Sequence, residues 1–203
     1  MYTKDIGKIS KALDMTYSYE IDYGLDPVMK SKLLDQAYNT KFKNMFEVDP
    51  NNSKSQGEYN DIEIASCGSF TSREITITPL IEQMMNLINP NLVVEGCMYL
   101  HLRPNQWFPP HVDESLIRES IIAWTLSPDI ENFAPAMFHD ENDKIEKVFY
   151  YSDKPSILNT RYRHSVKNNS YDRYSFQLLF RYPIEELIEF DQKYGIIKES
   201  FDV

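Results

Sequence analysis

His111 and Asp113 stand two positions apart, and in an extended backbone residues i and i+2 project from the same face. An imidazole and a carboxylate so placed can occupy adjacent corners of one metal ion. A second imidazole, His164, brought in from a distant strand would complete a set of two histidines and one carboxylate. That set caps one face of an octahedron, leaves three positions open for chemistry, and suits Fe(II). Farther on, Arg173 and Ser175 repeat the i, i+2 spacing with a guanidinium and a hydroxyl. Together they offer a bidentate fork and a further donor to a carboxylate.

The histidine-acid pair alone says little, because four histidines and 31 acidic residues among 203 give about 0.6 such pairs by chance. Context adds the weight. The pair follows a strand pattern and a bend at Pro109-Pro110, and His164 falls in a later strand pattern. Arg173 comes nine positions after His164, across the polar segment 167–172. A hairpin over that segment would let His164 and Arg173 reach one cavity. Duller roles stand beside these: a turn histidine at 111, a hydrogen-bonded core histidine at 164, an ion pair from Arg173 to Asp172. His139, next to Asp140-Glu141-Asn142-Asp143, is expected in a solvated loop. Tyr99 and His101 share a strand face and are candidates for extra polar contacts to a ligand. Trp107, Phe108 and Trp124 are expected in the core or a pocket wall.

The elements that must position these groups fall into two textures. Residues 1–91 read as mostly helical or irregular support. Asp26-Pro27 marks a helix start with apolar Val28, Leu33, Leu34, Ala37 and Tyr38. Thr78-Pro79 marks another, with Thr78 as N-cap and an end before Pro90. The polar stretch 49–57 is a candidate lid. From 92 to 183 short runs rich in Val, Ile, Tyr and Phe predict a β core, with strands at 93–102, 120–126, 147–151, 156–166 and 173–182. In the last of these, Tyr174, Phe176, Leu178, Phe180 and Tyr182 form one apolar face, while Arg173, Ser175, Gln177, Leu179 and Arg181 form the other. The N-terminal helices are the cover available for the apolar face, which turns the more polar face inward. Residues 184–203 read as a closing segment, with an acidic helix over 184–194. The fold class is therefore mainly β with flanking α-helices, in a single domain spanning 1–203.

Composition narrows the function classes. A net charge of −10 counts against binding to a phosphate backbone, so nucleic acid is not an expected partner. Within 161–181, however, five basic residues face one acid, a region that could draw a small anion. No apolar stretch approaches the length of a membrane helix and the first residues lack a secretory core, which predicts a cytoplasmic protein. Cys67 and Cys97 are expected to be reduced packing residues.

The constellation His111-x-Asp113, His164, Arg173-x-Ser175 resembles that of the Fe(II)/2-oxoglutarate-dependent dioxygenases. Gln106-Trp107-Phe108-Pro109-Pro110-His111-Val112-Asp113 is similar to the prolyl-4-hydroxylase-like pattern of that superfamily, and Phe138 sits where that group carries a phenylalanine. The resemblance covers roughly 93–182. It implies a double-stranded β-helix (jelly-roll) core, Fe(II) held by His111, Asp113 and His164, and 2-oxoglutarate held by Arg173 and Ser175. It further implies O2 and a primary substrate as partners, and hydroxylation of a small molecule, amino acid or protein side chain with release of succinate and CO2. Leu102, nine residues before His111, replaces the tyrosine usual in prolyl hydroxylases, and the glycine pair before Phe138 is absent. Two other readings are a non-catalytic jelly-roll or cupin-like binding module and a nucleobase-oxidising dioxygenase. The first lacks the cupin H-x-H with a following Glu, and the acidic charge opposes the second. The primary substrate and the oligomeric state are not legible.

Overall fold

The computed structural model describes residues 16–40, 42–44, 63–69, 77–105, 107–113, 119–127, 135–168 and 171–198. Along them run β1 (Ser18–Glu20), α1 (Pro27–Tyr38), β2 (Lys43–Asn44), β3 (Glu63–Ser69) and α2 (Pro79–Leu87). There follow β4 (Gly96–Leu102), β5 (Trp107–His111), β6 (Ser120–Thr125), β7 (Ala136–His139) and β8 (Ile145–Phe149). The last are β9 (Ser156–Asn159), β10 (His164–Lys167), β11 (Arg173–Phe180) and α3 (Ile184–Tyr194).

The first two helices begin where side chains can satisfy the first backbone N–H groups. Asp26 accepts from Val28 and Met29 at 2.9 and 3.0 Å, with Pro27 in the first turn, and Thr78 accepts from Ile81 at 3.3 Å. Both starts match the sequence expectation. So does the helix over 184–194.

Two antiparallel sheets carry the rest. The large one has strand order β1-β9-β6-β11-β4-β3-β2, the small one β5-β10-β7-β8. From β4 onward the chain passes back and forth between the sheets, which is the winding of a double-stranded β-helix. Alternation along β11 decides the layering. Phe176, Leu178 and Phe180 face outward and pack with Leu33, Ala37, Ile81, Met84, Ile184 and Leu187 from the three helices. Leu179 faces inward with Met98, Leu100, Ile121, Ala123 and Leu158, against Phe108, Ala136, Phe138 and Val166 of the small sheet. The expected cover is present, joined by α3.

Three expectations need correction. The segment before residue 91 is not only helical or irregular: β1, β2 and β3 extend the large sheet at both edges. The run 156–166 is not one strand. It splits into β9 and β10, which belong to different sheets, so β10 and β11 form no hairpin. The reason is a tight turn in which Asn159 Oδ1 accepts the Arg161 N–H (3.2 Å), redirecting the chain across the sandwich. His139 is no solvated loop residue; it is 6% exposed at the end of β7, with Nε2 2.7 Å from Ser165 Oγ. Cys97 is a buried free thiol, as expected. The candidate lid at 49–57 lies outside the described residues.

Candidate metal and co-substrate site

Strand β5 contains Pro109 and Pro110, which cannot donate to a ladder, and it accordingly sits at the edge of the small sheet. Its pairing with β10 matches Phe108 to Val166 and His111 to His164, so two residues of β5 oppose the single Ser165. Such a bulge changes the facing of the strand beyond it. Phe108 and His111, three positions apart, therefore share one face and stack at 3.9 Å between ring centroids. The expected bend at the prolines is thus an irregular edge strand.

Directly opposed across the ladder, the His111 and His164 rings lie 4.3 Å apart. Asp113 follows two residues after His111, and its backbone N–H is fixed on the Thr160 carbonyl at 3.0 Å. Its carboxylate, 7% exposed, has Oδ1 3.7 Å from His111 Nε2. One donor atom from each of His111, Asp113 and His164 lies within 4.8 Å of the others. Among the described residues these are the three that the fold collects into a cluster with metal-ligand spacing.

The donor set fits a divalent ion by its proton arrangement as well as its spacing. His111 Nδ1 is 2.9 Å from the Pro109 carbonyl, and His164 Nδ1 is 2.8 Å from the Tyr162 carbonyl. A carbonyl only accepts, so each Nδ1 carries the proton and each Nε2 presents its electron pair. Carbonyl contacts of this kind orient metal-binding imidazoles. The loop that supplies the Tyr162 carbonyl is anchored in turn, since Tyr162 and Tyr17 both donate to Glu146 Oε2, at 2.8 and 3.0 Å. The Glu146 bond holds the Tyr162 phenol well above its ordinary titration range.

Arg173 reaches the same cavity from the opposite sheet. It opens β11, pairs with Leu102 of β4, and is 2% exposed. Its guanidinium carbon lies 4.6 Å over the ring of Tyr151, a cation-π contact. Tyr151 lines the same cavity, and nothing in its local sequence marks it as a pocket residue. Ser175, also 2% exposed, lies on the same face of β11, and its Oγ is buried with no hydrogen-bond partner among the described residues. A buried hydroxyl in that state fits a site made for a polar ligand.

The cavity between these groups has a volume of about 60 Å³. Its lining residues other than the two histidines, Asp113 and Arg173 are uncharged, among them Phe108, Phe138, Leu158 and Gln177. Tyr99 and His101, the added contacts expected from sequence, do not join it. Alternation along β4 sends Met98 and Leu100 inward and sends Tyr99 and His101 to the helix-covered face. There the Tyr99 hydroxyl donates to Gln36 at 3.3 Å, while His101 stacks on Tyr174 and has Nε2 2.7 Å from Asp172.

No family profile and no curated protein matches the chain. Solved structures do. An oxidoreductase of the 2OG-Fe(II) oxygenase family from Burkholderia pseudomallei superposes with a TM-score of 0.56 at 12% identity, covering 78% of this chain and 80% of that one. SnoK, a non-heme alpha-ketoglutarate-dependent carbocyclase of nogalamycin biosynthesis, gives 0.51 at 10% identity over 91% and 90%. A prolyl hydroxylase from Trichoplax adhaerens, in complex with a hypoxia inducible factor peptide fragment, gives 0.50 at 14% identity over 83% and 84%. The class that the architecture defines is the jelly-roll fold of the 2OG-Fe(II) oxygenases. At 10–14% identity the likeness to these structures is one of fold.

Proposed function

We propose that this protein is an Fe(II)- and 2-oxoglutarate-dependent oxygenase, with His111, Asp113 and His164 as metal ligands and Arg173 and Ser175 as the co-substrate carboxylate site. The observation that carries the reading is the meeting, in one small cavity, of a His-Asp-His cluster from one side and a buried arginine from the other. The two neutral imidazoles and Asp113 leave a divalent ion with one positive charge, and Arg173 adds a second. A dianionic acid matches both. When bound, iron would supply a site at which O2 is activated to functionalise a C–H bond, 2-oxoglutarate giving up the balancing two electrons as it is decarboxylated to succinate and CO2.

The chain's own residues orient and exclude. Carbonyl contacts fix both imidazoles with Nε2 forward. Arg173, rigidified over Tyr151, holds a carboxylate in a fixed direction where a flexible lysine would not. Phe108, Phe138, Leu158 and Val166 keep water from the reacting end. Hydroxylation of a small molecule, amino acid or protein side chain is the reaction class. The fold itself does not choose among them. A cytoplasmic address belongs to the same reading. Among the described residues no helix is long and apolar enough to cross a membrane.

The test is uncoupled turnover. Protein loaded with Fe(II) and given 2-oxoglutarate and O2 should form succinate, Asp113→Ala should form none, and Arg173→Ala should need far more 2-oxoglutarate. Succinate formed equally by wild type and Asp113→Ala would remove the reading.

A further inference from the structure

The inner face of β11 is polar for longer than a carboxylate clamp requires. Arg173, Ser175 and Gln177 follow one another on it, and Leu179 comes next. Gln177 is 7% exposed and lines the cavity. Its neighbours across the ladders are Met98 on β4 and Ala123 on β6. Neither side chain can accept or donate a hydrogen bond of any strength, and Ala123 leaves room beside the amide. Among the described residues no hydrogen bond holds the Gln177 amide. A primary amide has two donors and an acceptor, and on this cavity wall they are left to whatever the cavity holds. Leucine or methionine would suit the wall that Ile121, Leu158 and Met98 build around it. An amide there makes physical sense when a ligand completes its hydrogen bonds.

We propose that Gln177 is a further specificity residue, whose amide N–H donates to the short oxo-dicarboxylic acid that Arg173 anchors. The inference rests on the co-substrate reading above and adds to it a third recognition group along the strand. Its chemistry selects for an acid with an oxygen in reach of the amide, and against an apolar acyl chain of the same length. Site selection of this kind is strong because an analogue lacking the oxygen leaves the buried amide without a partner.

The experiment measures the anaerobic dissociation constant of 2-oxoglutarate for Fe(II)-loaded protein. Its signal is the visible absorbance formed when a 2-oxo acid chelates the metal. Wild type, Gln177→Leu and Gln177→Glu are compared, with Fe(II) affinity and thermal unfolding of the metal-free protein recorded for each. Leucine should weaken 2-oxoglutarate by about tenfold or more. Glutamate, equal in size but accepting only and negatively charged, should weaken it further. Fe(II) affinity should hold in both variants, and the leucine variant should unfold no earlier than wild type, because the amide holds no protein partner. An unchanged 2-oxoglutarate constant in both variants overturns the proposal. So does a leucine variant that unfolds earlier and loses co-substrate and metal affinity together, which is the mark of a structural role. Absence of the absorbance in wild type would instead defeat the co-substrate reading on which the proposal stands.

Discussion

At the scale of single residues, the proton on each imidazole and the ring under the guanidinium set what the cavity can hold. Backbone carbonyls at Pro109 and Tyr162 hold the Nδ1 protons, so both Nε2 atoms are available without any rearrangement. Tyr151 does for Arg173 what the carbonyls do for the histidines, since a guanidinium lying on an aromatic face has fewer ways to turn. Tyr151→Ala should therefore weaken 2-oxoglutarate binding about 5- to 30-fold, the equivalent of about 1–2 kcal/mol. Tyr151→Phe, which keeps the ring, should lose much less. A dissociation constant unchanged in the alanine variant would show that the ring does not position Arg173. Sequence pointed to Arg173 through its spacing from Ser175, but nothing in the pattern around Tyr150-Tyr151 separates a pocket tyrosine from an edge tyrosine. The neighbouring Tyr150 is 72% exposed.

Elements deliver these residues through two local irregularities that periodicity does not reveal. The bulge of β5 turns His111 to the same side as Phe108, and the turn after β9 carries the chain to the other sheet before His164. Strand and helix starts were legible because caps, prolines and alternation are local signals. The crossing at 160–163 was not, because Thr160-Arg161-Tyr162-Arg163 carries no glycine or proline to mark a break, and residue types do not say which sheet a strand joins. The same limit explains His139, whose acidic neighbours suggested solvent although its strand register buries it. It also explains Tyr99 and His101, whose shared face was read correctly but on the wrong side of the sheet.

One side chain ties the connection between the two site-bearing strands, β10 and β11, to the end of β4. Asn168 Nδ2, in the connection from β10 to β11, lies 2.9, 2.8 and 2.7 Å from the carbonyls of Leu102, Arg103 and Tyr171. Asn168→Ala should lower stability by about 1–3 kcal/mol in urea unfolding, through carbonyls left without a donor. Asn168→Asp should lower it more, since an acceptor would then face three acceptors. An aspartate variant as stable as wild type would contradict this placement.

The whole molecule separates stability from chemistry by using the two faces of one sheet. Outward, the large sheet and its helices bury an apolar layer that includes Trp124, Phe176 and Phe180. Inward, the same sheet presents Arg173 and Gln177 to a cavity whose far wall carries His111, Asp113 and His164, with Ser175 buried between them on the same face of β11. The apolar-out, polar-in reading of β11 was available from sequence because its alternation is long and regular. The confrontation of the two walls was not, because it depends on β10 and β11 lying in opposite sheets. A net charge of −10 does not describe this interior, where Arg173 shares a small cavity with the His-Asp-His cluster.

The central claim is that the two walls together bind a chelating acid on iron. Anaerobic titration of Fe(II)-loaded protein with 2-oxoglutarate, followed by visible absorbance, tests it most directly. The account predicts a saturable band at one equivalent in wild type, absent in Asp113→Ala and shifted to much higher 2-oxoglutarate in Arg173→Ala. A wild type with no band, or a band of equal strength and affinity in both variants, would contradict it.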